Sequence, residues 1–114
     1  MSFVPYESVD YTYVINKALL RISERRSNID SSMKFKFRNS LWEYLRSVEA
    51  LFVILTPNIR PKNHRTKMEE AKNMIIKENL DKAMEILDEL VEEALISLSR
   101  EGLLLRGEVI RTIR

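Results

Sequence analysis

Few side chains in this 114-residue chain could carry out chemistry. Cysteine is absent, which excludes thiolate nucleophiles, Cys-ligated zinc or iron–sulfur centres and disulfides. The single histidine, His64, sits between Asn63 and Arg65 in a proline-flanked segment. A general base there would need an orienting carboxylate and a nucleophile at hand, and neither is identifiable nearby in sequence. Carboxylates are the abundant catalytic material that remains, because Mg²⁺ sites are built from Asp and Glu on adjacent helices. A second chemistry belongs to the basic residues. Arg21, Arg25, Arg26, Lys34, Lys36 and Arg38 cluster around one loop, with Phe35 and Phe37 between the last three, and Arg60, Lys62, Arg65 and Lys67 line another. Basic loops contact phosphates and an exposed ring can stack on a base, so these ten are the candidate nucleic-acid contacts.

Three short patterns carry resemblances. Arg60 and His64 resemble the Arg-to-His pairing of HEPN-type helical ribonucleases, although only three residues intervene here, fewer than in that family. Glu69 and Glu70, followed by Asn73 and then by Glu85 and Asp88, resemble the EExxE and ExxD motifs of all-α nucleotide pyrophosphatases. That likeness implies Mg²⁺-dependent hydrolysis of nucleoside triphosphates. Asn73 replaces the family's third Glu, and Glu85 and Asp88 point away from the leucine seam of their helix, whereas the family's ligands converge inside the bundle. The segment from Ala71 through Asn79 and Ala83 to Leu95 is similar to a tetratricopeptide helix pair. No second copy follows to bury its faces, so it reads as a generic helical hairpin.

The elements that would position these residues are helical. Ser2 to Glu7 reads as an extended arm around Pro5, after which Asp10 can cap a first helix with Tyr11, Val14, Ile15, Ala18 and Ile22 as its apolar face. Ser31 or Ser32 can cap a second helix whose Phe37, Leu41, Tyr44, Leu45, Val48, Leu51, Phe52 and Leu55 follow the helical period until Pro57. The alternation of Met33, Phe35 and Phe37 also suits a short strand, but no partner strand is evident and the helix is preferred. Ala50 to Leu55 is apolar on all sides, which predicts a central helix contacted all round. Thr56 to Arg65 is a loop, and Thr66 with Glu69 is a capping box that opens a short third helix. A turn at Lys77 to Leu80 leads into a fourth helix ending near Glu101, with Gly102 as its left-handed stop. Its seam is Leu80, Met84, Leu87, Val91, Ala94 and Leu98; its back carries Asp81, Glu85, Asp88, Glu89, Glu92 and Glu93. Leu103, Leu104, Leu105, Val109, Ile110 and Ile113 suggest a short C-terminal helix. The predicted fold is all-α, one domain over residues 1–114: an antiparallel bundle of four main helices in two hairpins, plus that last piece.

Composition and charge narrow the function. The longest apolar run is six residues, against the roughly 20 of a membrane span, so a soluble cytoplasmic protein with no membrane contact is expected. A charged fraction of 32%, no glutamine and only two glycines resemble a heat-adapted composition. Residues 1–67 hold twelve Lys/Arg and six Asp/Glu, whereas residues 68–114 hold seven and eleven. This division suits a basic half packed on an acidic half, partner chains steered into register, or a basic face offered to phosphate. The expected function is that of a small non-enzymatic accessory or assembly protein without cofactor or metal. It would associate with itself or another protein, in helix-to-helix fashion, through Ile96, Leu103, Leu104, Leu105, Val109 and Ile110. Nucleic-acid binding by the basic half is the alternative, and a pyrophosphatase-like enzyme the remote one.

Overall fold

A computed structural model describes residues 4–104, with side chains from residue 11 onward. The expected C-terminal helix, with Leu105, Val109, Ile110 and Ile113, lies outside the described residues. The described chain is an all-α bundle without strands: α1 (Val4–Ser27), α2 (Lys34–Ile54), a single 3-10 turn (Pro57–Ile59), α3 (His64–Ile76) and α4 (Leu80–Arg100). α1 packs chiefly on α2, α3 chiefly on α4, and α2 also touches α3 and α4. One continuous core draws on all four helices. Among the described residues no helix is long and apolar enough to cross a membrane.

The expected helix starts need correction. α1 begins at Val4, so residues 4–7 are helical instead of part of an extended arm, and Asp10 is no cap. Proline is tolerated in a first turn because its missing N–H would have had no partner there, which admits Pro5. The inner face of α1 is Ile15, Leu19 and Ile22, while Val14 is exposed. Met33, not a serine, precedes α2, because Ser32 donates its N–H and its hydroxyl to Asp30 Oδ1 at 3.0 and 2.6 Å. The strand alternative fails, since Phe35 is 78% exposed and Phe37 buried within α2. α3 opens two residues before the expected capping box, with Asn63 in the left-handed region at φ 62°.

The helix ends follow local rules. Glu78 takes φ 65°, its N–H bonds to Ile75 O at 3.0 Å and the Asn79 N–H to Met74 O at 2.8 Å. Gly102 repeats the arrangement at φ 70°, with Gly102 N–H to Ser99 O at 3.1 Å and Leu103 N–H to Leu98 O at 2.9 Å. Both are Schellman ends that satisfy the last free carbonyls, and Gly102 is the expected stop. At the end of α2, Tyr11 donates its hydroxyl to Ile54 O at 3.1 Å, tying α1 to a carbonyl that the helix leaves open.

α4 buries a broader stripe than the seam: Leu80, Ala83, Ile86, Leu87, Leu90, Val91, Ala94, Leu95 and Leu98, with Met84 only half-buried. A fully buried leucine such as Leu87 or Leu90 contributes roughly 2–3 kcal/mol relative to exposure. Asp81, Glu85, Glu89 and Glu92 stay exposed, but Asp88 and Glu93 are half-buried against neighbouring helices. The basic and acidic halves do meet, at Arg26–Asp88 (2.9 Å), Lys34–Glu78 (2.6 Å), Lys67–Glu93 (3.4 Å) and Lys72–Glu49 (2.8 Å). α2 is not covered all round: Ala50 is exposed and Val53 is 76% exposed. α1 and α3 flank it, and nothing described lies over its outer side.

Candidate nucleic-acid interface

Six basic residues, Arg21, Arg25, Arg46, Arg60, Arg65 and Lys72, converge on that outer side of α2. Glu43, Arg46, Ala50 and Val53 follow one another at three- and four-residue steps, so they share a face. Two depressions adjoin there and share Arg46 and Ala50. One lies between α1 and α2, lined by Arg21, Arg25, Glu43 and Arg46. The other, of 780 Å³, lies between α2 and α3, with Glu49, Arg60, His64, Arg65, Glu69 and Lys72 in its lining.

The electrostatics of this face follow from its ion pairs. Arg25 reaches Glu43 at 3.7 Å, and Lys72 takes both Glu49 at 2.8 Å and Glu69 at 3.5 Å. The Glu49 hydrogen bond, followed by the weaker Glu69 contact, holds the Lys72 ammonium above its ordinary pKa. All three carboxylates of the face are thereby engaged. Arg21, Arg46 and Arg65 form no ion pair among the described residues. Arg60 donates Nε to Leu55 O at 2.8 Å, just past the end of α2, which leaves its other N–H groups for a ligand. His64 places Nδ1 3.2 Å from Pro61 O and sets its ring edge-on to Phe52, at 5.3 Å between centroids. Arg60 and His64, the two residues of the ribonuclease resemblance, therefore border one depression.

The structure sorts the ten basic residues. Arg21, Arg25, Arg60 and Arg65 meet on the α1–α2–α3 face, and Lys62 is exposed in the loop beside it. Arg26 and Lys67 turn the other way, toward Asp88 and Glu93 of α4. Lys34 pairs with Glu78, while Lys36 and Arg38 are exposed along the first turns of α2. Two residues of the face, Arg46 and Lys72, escaped the reading of basic loops because they lie within helices. Only the face shared by Glu43, Arg46, Ala50 and Val53 could have signalled Arg46. Of the expected association surface, Ile96 is 54% exposed, whereas Leu103 and Leu104 are half-buried against their own core. The Leu103 carbonyl also accepts Asn16 Nδ2 at 2.9 Å. Leu105, Val109 and Ile110 lie outside the described residues.

The carboxylates of the pyrophosphatase resemblance do not gather. Glu69 is on Lys72, Glu85 is on Lys82 at 3.0 Å, and Asp88 receives Arg26 Nε and Nη2 at 2.9 and 3.0 Å. Among the described residues no group of three or more His, Asp or Glu is placed to hold a metal ion. Asp88 also accepts the Tyr44 hydroxyl at 2.5 Å, which joins α1, α2 and α4 through one carboxylate. Burial first, and the Asp88 hydrogen bond second, push the Tyr44 phenol well above its usual range. A pKa raised by folding favours the folded state while the proton is on, up to the unfolded value of about 10, and that contribution is lost as pH rises further. Unfolding free energy should therefore decline above about pH 10, by at most roughly 1.4 kcal/mol per unit from this group. Tyr44→Phe should flatten the decline, as followed by denaturant unfolding with circular dichroism. An equally steep decline in the variant would show that Tyr44 is not its source.

No protein-family model, curated protein or solved structure matches this chain.

Proposed function

We propose that this protein binds nucleic acid through the phosphate backbone, without reading sequence, on the face built by α1, α2 and α3. One observation carries the reading: once Arg25 and Lys72 have engaged the described carboxylates of that face, Arg21, Arg46, Arg60 and Arg65 are left without an ion pair among the described residues. Unpaired guanidiniums on a concave surface are what phosphate neutralisation needs, and release of condensed counterions supplies the affinity. The layout of charge supports it. The exposed acids of α4 (Asp81, Glu85, Glu89 and Glu92) belong to the helix that packs against the buried side of α2, so the molecule is polarised and approaches a polyanion with one side forward.

An antiparallel arrangement within each hairpin belongs to the same reading. It is supported by Arg25 meeting Glu43 while Tyr11 meets Ile54, and by Lys67 meeting Glu93 across α3 and α4. A cysteine-free protein of this kind fits the cytoplasm. Helix-to-helix association is a second reading, favoured by the exposure of Ile96. The test is fluorescence anisotropy of the full chain with labelled nucleic acid of about 20 nucleotides in about 0.1 M salt. Saturable binding that is indifferent to sequence is expected, and no binding at any protein concentration would overturn the proposal.

A further inference from the structure

We infer that the ligand of this face is a duplex, met on both of its backbones at once; the inference rests on the reading just given and specifies its substrate. The unpaired cations stand on opposite sides of α2. Arg21 belongs to α1, whereas Arg60 and Arg65 belong to the 3-10 turn's exit and to α3. Packed helices have axes roughly 8–10 Å apart, so the α1 and α3 walls are at most roughly 16–20 Å apart across α2. One strand carries a single row of phosphates and can follow one wall. A duplex carries two rows, bordering a major groove about 12 Å wide that admits an α-helix.

Between the walls α2 offers Glu43, held by Arg25, then Arg46, and beyond them the small apolar Ala50 and Val53. From Glu43, beside Arg25, to Val53, beside the depression that holds Arg65, α2 rises about 15 Å. That length spans roughly four phosphates of one duplex strand. Single strands are gripped largely by stacking bases on aromatic rings. Of the rings on this side, Phe52 is only 4% exposed and is packed edge-on by His64, while the exposed Phe35 stands about 12 Å along α2 from Glu43, toward the start of the helix and outside both depressions. The chemistry of the face is therefore that of two cationic walls and a slim helix between them.

Arg21→Glu and Arg65→Glu, one on each wall, test the inference in the full chain. A labelled duplex of about 20 base pairs and each of its strands alone are titrated by anisotropy in about 0.1 M salt. The duplex should bind at least about 10-fold tighter than either strand, and each substitution alone should weaken duplex binding about 10-fold, the worth of one phosphate contact at that salt. Equal or tighter binding of the single strands overturns the duplex assignment while leaving phosphate binding in place. An unchanged duplex affinity in Arg21→Glu, with Arg65→Glu weakened, overturns the two-wall geometry. If neither form of nucleic acid binds the unmodified chain, the preceding proposal fails as well. Both arginines lie on the surface with no ion pair among the described residues, so circular dichroism should show the same helicity in the variants and the parent.

Discussion

Arg46→Glu combined with Arg65→Glu should lower affinity for nucleic acid by about 100-fold in about 0.1 M salt, because each phosphate contact contributes close to one logarithmic unit there. The two side chains stand on α2 and α3, both line the 780 Å³ depression, and neither has a counter-charge among the described residues. Their loss removes about half of the unpaired cations, and the new carboxylates beside Glu49 and Glu69 repel phosphate as well. Surface substitutions of this kind change stability by no more than about 0.5 kcal/mol, so the thermal midpoint should stay in place while binding collapses. Titration and thermal melts on the same samples separate the two effects. Retained affinity in a folded double variant would place the nucleic acid elsewhere on the molecule.

Asp88→Ala should be the most damaging single change outside the apolar core, costing about 2 kcal/mol. The Tyr44 side chain is buried and donates to Asp88, so removing the acceptor leaves a buried hydroxyl with no partner, a loss of about 1–3 kcal/mol. The two-bond contact with Arg26 adds less, because both of its side chains remain about a third or more exposed to water and partly screened. For a domain of this size the midpoint should fall by roughly 8–10 °C in calorimetry. Asp88→Asn keeps an acceptor for Tyr44 and should lose about half as much. Tyr44→Phe in the Asp88→Ala background should cost clearly less than it does alone, since the two groups share one interaction. Additive losses would mean that the three-helix junction does not act as a unit.

How much of this could be read from sequence depended on whether a residue's partner was local. α4 was legible because its apolar period is long and Gly102 supplies a left-handed stop, and both are properties of consecutive residues. The starts of α1 and α3 were not: Pro5 falls inside a first turn that tolerates it, and Asn63 enters α3 through its backbone conformation, with no side-chain cap bond. The run from Ala50 to Leu55 suggested a fully surrounded helix, but burial depends on which neighbours arrive, and none of the described residues covers Ala50 and Val53. The site shows the same division. Basic residue types around two loops pointed to phosphate, yet Arg25 and Arg26, adjacent in sequence and about 100° apart on a helix, go to Glu43 and to Asp88 on different sides of the bundle. Arg46 lies on α2 with no other basic residue near it in sequence, and it joined the site only when α1 and α3 packed beside it.

The claim on which the rest stands is that unpaired guanidiniums on the α1–α2–α3 face neutralise phosphates, and the salt dependence of binding measures this directly. For a duplex, the slope of log K against log salt is about −0.9 for each phosphate contact. Arg21, Arg46, Arg60 and Arg65 together give a slope between about −3 and −4, or roughly a 150-fold loss of affinity between about 50 and 200 mM salt. A slope near zero, with affinity unchanged across that range, would contradict it.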